Sequence, residues 1–213
     1  MSEEFLLDKR SIAFAEDFVP GTEPMDEAHK AAVLAGAPAS SGGVNAVLTM
    51  LAKLINARTV VEVGTSTGCT GLALFQGMDP AGVLTSIDTE TDWQNTAKTA
   101  FRAAGIASQR SRLINGRALD ICNNLRAGAY DIMLLNDEKL DYLDFVPQAE
   151  RLLRPGGMLV INDALWQGKV ADPNDDSDES VIIREALDAI RESEVFTCAM
   201  LPVGHGVAVG VHA

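Results

Sequence analysis

The residues with the clearest chemical potential follow an apolar run at positions 132–135, in the stretch YDIMLLNDEKLDY. An amide, two carboxylates and an amine stand together there, on Asn136, Asp137, Glu138 and Lys139. A second polar pair, Asn162-Asp163, ends the apolar run MLVIN. Oxygen ligands from adjacent strand ends are what a hard divalent cation requires, so these positions form a candidate metal site. Capping and solvation of the strand ends is the alternative explanation for Asp137 and Glu138.

Lys139 brings a side chain that could act as a base or as a cation beside a substrate hydroxyl. A lysine works as a base only when burial or a neighbouring cation favours its neutral amine. A charged lysine would instead favour the oxyanion of the substrate. The sequence leaves both roles open.

A second motif, VVEVGTSTGCTG, places Gly64 and Gly68 between a predicted strand and a predicted helix. Glycines there let the backbone approach a ligand, and the helix start offers free N–H groups. The G-x-x-x-G spacing is neither the G-x-G-x-x-G of nicotinamide dinucleotide folds nor a phosphate loop. An ordinary strand–helix turn is the alternative. Asp88 ends the next predicted strand, LTSID, where an acid can accept hydrogen bonds from ribose hydroxyls. Turn and acid together predict a site for an adenosine-bearing cofactor.

These residues lie on a regular succession of elements. Five short apolar or β-branched runs (TVVEV, GVLTSID, RSRLIN, YDIMLL and MLVIN) alternate with segments of helical periodicity. This alternation predicts an α/β fold with a doubly wound, mostly parallel, seven-stranded sheet. The last two runs, FTCAMLPV and GVAVGVH, are joined by a few residues around Gly204-His205-Gly206, so they must pair as an antiparallel C-terminal hairpin. Ligands in such folds bind beyond the carboxyl ends of the parallel strands.

Composition narrows the partners and the compartment. The chain has 213 residues, a formal net charge of −13 and three widely spaced cysteines. The negative charge disfavours nucleic acid and anionic membrane surfaces as partners. The start of the chain lacks the pattern of a secretory signal and the cysteines lack disulfide or zinc spacing, so we expect a cytoplasmic protein. The acidic segment 172–179 is interpreted as a solvated loop, with a metal-binding loop as the alternative.

Taken in order, these motifs resemble the cation-dependent O-methyltransferases of the catechol and caffeoyl-coenzyme A type, in particular the small bacterial members. The matching segments include LAKLINARTVVEVGTSTGCTGLAL, LTSID, YDIMLLNDEKLDY, AERLLRPGGMLVINDALWQGKVADP and LPVGHGVAV. The resemblance covers residues 38–213, the expected methyltransferase domain, and residues 1–37 are expected to form a helical appendage. It implies S-adenosylmethionine (SAM) as cofactor, methyl transfer to a hydroxyl of a small, preferably aromatic acceptor, and a homodimer.

The resemblance also implies roles by position. The cofactor-binding positions are Ala39, Ser40, Glu62, Gly64, Ser66, Thr70, Asp88, Gly116, Arg117, Ala118 and Asn136. Among these, residues 62–70 face the methionine part, Asp88 the ribose and residues 116–118 the adenine, while Ala39 and Ser40 lie on the segment that covers the cofactor. Lys139 falls on the catalytic lysine that assists deprotonation, and Trp166 lies at the rim of the acceptor pocket.

The cation-binding positions depart from the family pattern. The family has an Asp and then an Asp-Asn pair, whereas this chain has Asn136 and then Asn162-Asp163. One carboxylate is lost, which should weaken binding of a magnesium or manganese ion. A metal-independent or weakly active SAM-binding relative is therefore an alternative to the metal enzyme, and a nicotinamide-dependent oxidoreductase is a third. We expect His205 to sit in a hairpin turn that faces away from the crevice.

Overall fold

A computed structural model describes residues 8–136 and 139–213. Asp137 and Glu138, which the sequence raised as further cation ligands, lie outside the described residues. Eight α-helices are found in the described ranges: α1 (Lys9–Glu16), α2 (Glu23–Ala35), α3 (Gly42–Leu54), α4 (Cys69–Gly77), α5 (Thr91–Ala103), α6 (Ala118–Cys122), α7 (Tyr142–Leu152) and α8 (Asp178–Glu192). Short 3-10 helices cover Ser108–Arg110, Lys139–Asp141 and Trp166–Ala171.

One seven-stranded sheet forms the centre of the molecule. Its strands are β1 (Thr59–Val63), β2 (Val83–Asp88), β3 (Ser111–Asn115), β4 (Tyr130–Leu135), β5 (Leu153–Asn162), β6 (Phe196–Leu201) and β7 (Val207–His212). The spatial order is β3-β2-β1-β4-β5-β7-β6, with β1 to β5 parallel and β7 antiparallel to both β5 and β6. The predicted fold class, including the antiparallel C-terminal hairpin, is confirmed.

The alternation of side chains along each strand divides the core into two layers. Val60, Ile132 and Val160 point to the layer covered by α2, α3, α4 and α5. Val61 and Met133, one residue along, point to the layer covered by α6, α7 and α8. Both faces of the central strands are therefore buried, which explains why their sequences are apolar runs.

Strand β5 is longer than the sequence suggested. The predicted strand began at Met158, after a helix ending in Pro-Gly-Gly, but the structure starts β5 at Leu153, which pairs with Tyr130. The Arg154 guanidinium contacts the Asp131 carboxylate with an Nε–Oδ1 distance of 2.6 Å. This ion pair and the pairing of Leu153 keep the chain extended through the glycines, across an irregularity in the register of β4.

The N-terminal helices differ in how firmly they pack. Helix α2 buries Met25, Ala28 and Ala32, of which Met25 and Ala28 join the core beneath α3 and α4. Helix α1 buries no side chain. The division of the chain at residue 38 stays a prediction. None of the helices in residues 8–136 and 139–213 is long and apolar enough to cross a membrane.

Candidate active site

The turn after β1 has the tight backbone that its glycines predicted. Gly64 (φ 91°), Ser66 (φ 48°) and Gly68 (φ 95°) all adopt positive φ, a region that glycine enters without strain and that serine rarely occupies. A Cβ on Gly68 would lie 2.9 Å from the Cβ of Ala97, so the turn packs closely on α5. The free N–H groups of the first turn of α4 therefore start directly beyond the end of β1.

Asp88 ends β2 beside this turn. Its Oδ2 accepts a hydrogen bond from the Ser66 backbone N–H at 2.9 Å, and its Oδ1 accepts one from the Glu90 N–H at 2.8 Å. The carboxylate thus fixes the Ser66 backbone in its unusual conformation. It is 6% exposed, at the position that a ribose-binding acid requires.

Glu62 is a fully buried carboxyl group on β1. It accepts hydrogen bonds from the Thr70 hydroxyl at 2.6 Å and from the Ser86 hydroxyl at 2.5 Å. Burial raises the pKa of Glu62 to about 7; the hydrogen bonds from Ser86 and Thr70 lower it in part, and the nearby Asp88 charge raises it. Glu62 is therefore the titratable group at this strand end whose charge changes near neutral pH.

The segment before α3 lies against the Gly64 turn. The Ser66 hydroxyl donates to the Pro38 carbonyl at 2.6 Å, and the Ser40 hydroxyl donates to Asn45 Oδ1 at 2.7 Å. Ala39 is exposed between these two anchored positions. The structure thereby brings the predicted covering segment to the predicted cofactor turn.

The predicted adenine segment follows β3 at the same edge of the sheet. Gly116 has φ 150° and donates its N–H to the Asp88 carbonyl at 3.0 Å. Arg117 is exposed and forms a 3.9 Å ion pair with Asp141. Ala118 is buried at the start of α6. Residues 116–118 thus follow directly on a backbone contact with the acid at position 88.

The ends of β4 and β5 are joined by a pair of amides. Asn136 donates its Nδ2 to the Gly64 carbonyl at 3.2 Å and to the Thr70 hydroxyl at 3.4 Å. Asn162 donates its Nδ2 to Asn136 Oδ1 at 2.8 Å. Among the described residues, the Asn162 Oδ1 atom has no hydrogen-bond partner although it is buried. One buried acceptor thus remains available at the carboxyl end of β5.

Lys139 and Trp166 lie beside this amide pair. The Lys139 Nζ is 3.3 Å from Asp163 Oδ2 and 4.7 Å from the centre of the Trp166 ring, and its side chain is 9% exposed. The Trp166 Nε1 is buried and has no hydrogen-bond partner within the described part of the chain. The cluster therefore holds one ion pair, one unpaired donor and one unpaired acceptor.

His205 also belongs to this cluster, which corrects the expectation that it faces away. Its Nδ1 lies 3.5 Å from Asp163 Oδ1. Together with Ser40 and Asn162 these two residues line a small cavity of about 50 Å³. The reason is topological: β7 is antiparallel to β5, with Val207 opposite Asn162, so the residues just before β7 must lie beside those just after β5.

The acidic segment 172–179 forms local hydrogen bonds, most of them to its own backbone. Asp172 Oδ1 accepts from the Asn174 N–H at 2.9 Å, Asp175 Oδ1 accepts from the Ser177 N–H at 3.2 Å, and the Arg184 guanidinium donates to the Asp175 carbonyl. Over residues 8–136 and 139–213, no three His, Cys, Asp or Glu side chains are grouped to hold a metal ion.

The donor set suits SAM better than a divalent cation. A buried carboxyl group, a turn rich in positive φ and an acid at the end of β2 can hold an ammonium, a carboxylate and a ribose diol respectively. At the predicted cation position only Asp163 carries a negative charge, and the Asn136 oxygen already accepts an amide hydrogen. Magnesium favours charged oxygen ligands in octahedral geometry, so the described residues do not fit it.

Comparison with known proteins identifies the class. The chain matches the model of a family described as O-methyltransferase over residues 30–212. A protein of Mycobacterium avium (strain 104) that carries a provisional O-methyltransferase name is 39% identical over 200 residues, 94% of this chain and 90% of that protein.

Solved structures agree with this assignment. A Corynebacterium glutamicum protein superimposes with a TM-score of 0.87 at 30% identity, covering 94% of each chain. The O-methyltransferase TomG of Streptomyces achromogenes, involved in tomaymycin synthesis and solved in complex with SAM, superimposes with a TM-score of 0.86 at 25% identity over 100% of both chains.

The fold is that of a Rossmann-like methyltransferase that uses SAM. Within that class, the chain belongs to the O-methyltransferase family. The resemblance read from the sequence is confirmed, and a nicotinamide-dependent oxidoreductase is set aside.

Two polar residues of the site were missed in the sequence. Ser86 donates to the buried Glu62, and Thr65 shares a 2.7 Å hydrogen bond with Ser86. The polar pair Thr85-Ser86 inside β2 was the available signal, because buried polar side chains need partners. The role of His205 had no comparable local signal.

Proposed function

We propose that this SAM-dependent O-methyltransferase methylates a hydroxyl of a small aromatic acceptor at the end of β4 and β5. The observation that carries the proposal is the nearly buried Lys139 ammonium, which lies against Asp163 and the face of Trp166. Native proteins rarely leave buried polar atoms unpaired, yet Trp166 Nε1 and Asn162 Oδ1 both lack partners among the described residues. A hydroxyl, which donates and accepts, is the kind of group that suits them.

The proposed cofactor contacts follow from the geometry of the turn. Glu62 is the proposed partner of the amino group of the methionine part, because a carboxyl group with a pKa of about 7 becomes an anion readily beside a cation. Asp88 is proposed to bind the ribose. The remaining proposed cofactor positions are Ala39, Ser40, Gly64, Ser66, Thr70, Gly116, Arg117, Ala118 and Asn136.

When bound, SAM supplies the methyl group, which an acceptor oxygen takes by in-line displacement, with S-adenosylhomocysteine as the other product. The protein must then hold the acceptor hydroxyl in line and favour its oxyanion. Lys139 supplies the positive charge for the oxyanion, and Trp166 supplies a flat apolar wall for an aromatic ring. The hydroxyl proton leaves to solvent.

The test combines binding and turnover. Calorimetry with S-adenosylhomocysteine should give saturable binding, and catechol with methyl-labelled SAM should give a labelled monomethyl ether. Lys139→Gln should lower turnover roughly a hundredfold or more while changing cofactor affinity less than about threefold, since a transition-state interaction is worth several kcal/mol. Lys98→Gln, an exposed lysine of α5, serves as the matched control. Equal losses of turnover and cofactor affinity in Lys139→Gln would contradict the assigned role.

We further propose a cytoplasmic homodimer with no nucleic-acid or membrane partner. Phe14 and Phe18 of the N-terminal region are each 72% exposed, and Leu34 at the end of α2 is 88% exposed. The Phe14 and Phe18 rings are neighbours, with their centres 6.2 Å apart, and exposed apolar side chains of this size favour burial against a second protein surface. The net charge of −13 disfavours anionic partners. Light scattering on the purified protein should give twice the 22.6 kDa chain mass, and a monomer at micromolar concentration would refute the dimer.

A further inference from the structure

We propose that the Lys139 ammonium takes the place of the divalent cation at the ends of β4 and β5, so that methyl transfer by this chain needs no bound metal. The inference rests on the proposed function and specifies its chemistry. It follows from three features of the site: the orientation of two amides, the engagement of one carboxylate and the surroundings of one amine.

The orientation of the two amides disfavours a bound cation. The Asn136 Nδ2 faces the Gly64 carbonyl, which can only accept, so the Asn136 Oδ1 must face Asn162. The Asn162 side chain then has to present its Nδ2 to that oxygen, as observed at 2.8 Å. Amide hydrogens therefore occupy the space between two of the three predicted ligand positions. A cation there would have to break this hydrogen bond and turn Asn162 around.

The remaining ligand position is already neutralised. Asp163 Oδ2 lies 3.3 Å from the Lys139 Nζ, and Asp163 Oδ1 lies 3.5 Å from the His205 Nδ1. Its backbone has φ 56°, a region that residues other than glycine rarely occupy. The formal charge of the triad is −1 and that of the triad with Lys139 is zero, so the attraction of these four described residues for a divalent ion is small.

The surroundings of Lys139 attract an ammonium group. A carboxylate and the face of an indole both attract an ammonium, and both are within contact distance of its Nζ. The side chain is 9% exposed, so these contacts act with little screening by water. Of the two roles that the sequence left open, the structure favours the cation over the base.

The step balances without a metal. The acceptor hydroxyl loses its proton to solvent water, and Lys139 stabilises the resulting oxyanion. The oxygen forms a bond to the methyl carbon as the bond from carbon to sulfur breaks, and that electron pair stays on sulfur. No oxidation or reduction occurs, and Lys139 carries the same charge before and after.

Manganese titration tests the absence of a metal site directly. Electron paramagnetic resonance measures bound Mn²⁺ in wild type and in the Asp163→Asn variant, with Mn²⁺ added up to about 1 mM. The two proteins should bind the same amount, because wild type should hold no ion that depends on Asp163. The triple variant Asn136→Asp, Asn162→Asp, Asp163→Asn recreates the family ligand set and should bind Mn²⁺ roughly tenfold or more tightly than wild type. Because the spectrum reports every bound ion, it includes any held by residues outside the described ranges. Wild-type Mn²⁺ binding that Asp163→Asn abolishes would overturn the inference.

Charge-preserving substitution tests the role of Lys139. Lys139→Arg keeps the positive charge but cannot act as a base, whereas Lys139→Gln removes the charge. With 4-nitrocatechol as probe, the absorbance of its anion should increase on binding to wild type and to Lys139→Arg, and not on binding to Lys139→Gln. Lys98→Gln should behave as wild type. An anion signal that is lost equally in the Arg and Gln variants, or restored to both by Mg²⁺, would refute the assignment.

Failure of the metal-free mechanism can be distinguished from failure of the proposed function. S-adenosylhomocysteine calorimetry on the same samples establishes whether the cofactor site is intact, and circular dichroism establishes folding. Failure to bind S-adenosylhomocysteine would refute the proposed function whatever the manganese result. Cofactor binding together with a manganese site that depends on Asp163 would leave the methyltransferase in place and remove only the metal-free mechanism.

Discussion

Replacing Glu62 by glutamine should change how the stability of the protein depends on pH. Glu62 is fully buried, and its pKa is about 7 in the folded protein against an ordinary 4.5. Between these two values the unfolded chain has released the proton that the folded chain keeps. The folded state therefore binds more protons, and its stability must fall as pH rises through this window. The amide in Glu62→Gln does not titrate, so the variant lacks this contribution.

The size of the effect follows from the same two values. Multiplying their difference by about 1.4 kcal/mol per pH unit gives roughly 3 kcal/mol. Glu62 is shielded from solvent, so screening by water reduces this free energy little. Relaxation of the protein around the ionised carboxylate reduces it further. The Ser86 hydroxyl, which bonds Glu62, can turn toward Thr65 at 2.7 Å, so the Ser86 oxygen can accept one hydrogen of the introduced amide.

Urea unfolding of both proteins at several pH values between about 4.5 and 8 provides the measurement. The free energy of unfolding of wild type, minus that of the variant, should fall by about 3 kcal/mol from the bottom to the top of the range. Taking the difference removes the contributions of the other acids. Parallel pH profiles would show that Glu62 ionises normally in the folded protein, and the argument from its burial would be wrong.

Three other perturbations probe how the site is held. Ser66→Gly removes the hydroxyl that binds the Pro38 carbonyl at 2.6 Å. Calorimetry should show S-adenosylhomocysteine binding weakened about fivefold, the value of one hydrogen bond; unchanged affinity would mean that the covering segment does not contribute to cofactor binding. Gly77→Ala places a Cβ 2.1 Å from the Thr49 carbonyl and should lower the free energy of urea unfolding by about 3 kcal/mol; a loss below about 1 kcal/mol would show that α3 and α4 can separate. Glu16→Ala removes a carboxylate that accepts from two backbone N–H groups at 2.9 and 2.6 Å and should speed hydrogen exchange throughout α1; unchanged exchange would mean that other contacts hold this helix.

The sheet was predictable because two features of the sequence indicate its strands: the strands are apolar runs, and segments of helical periodicity separate them. The run MLVIN predicted the buried half of β5, but Pro155, Gly156 and Gly157 concealed its first half. That half is extended through an ion pair with Asp131 on the neighbouring strand, a contact between residues distant in sequence. Local propensity has no access to such a contact, so the error fell at an element boundary.

The grouping of the proposed cofactor residues at one edge was also predictable, since they lie at or just after strand ends. Gly64 and Asp88 end adjacent parallel strands, and parallel strands bring their carboxyl ends to one edge. His205 was assigned wrongly because its hairpin was considered alone. Once β7 is placed antiparallel to β5, position 205 must lie at the same edge, but the hairpin predicted from the sequence did not say which of its two strands pairs with β5.

The differences from the family ligand set at the ends of β4 and β5 are explained only when they are considered together. Changing the first acid to Asn136 alone would leave an amide facing a carboxylate at 162, a pair suited to a cation. With an amide at 162 as well, the two side chains bond each other and the single carboxylate moves to Asp163. There it meets Lys139 on one oxygen and His205 on the other. The site thus exchanges a negative ligand set with a mobile cation for a neutral cluster whose positive charge is covalently part of the chain. Because each residue satisfies another, restoring a metal site should require the substitutions as a set, and a single Asn136→Asp change should gain little.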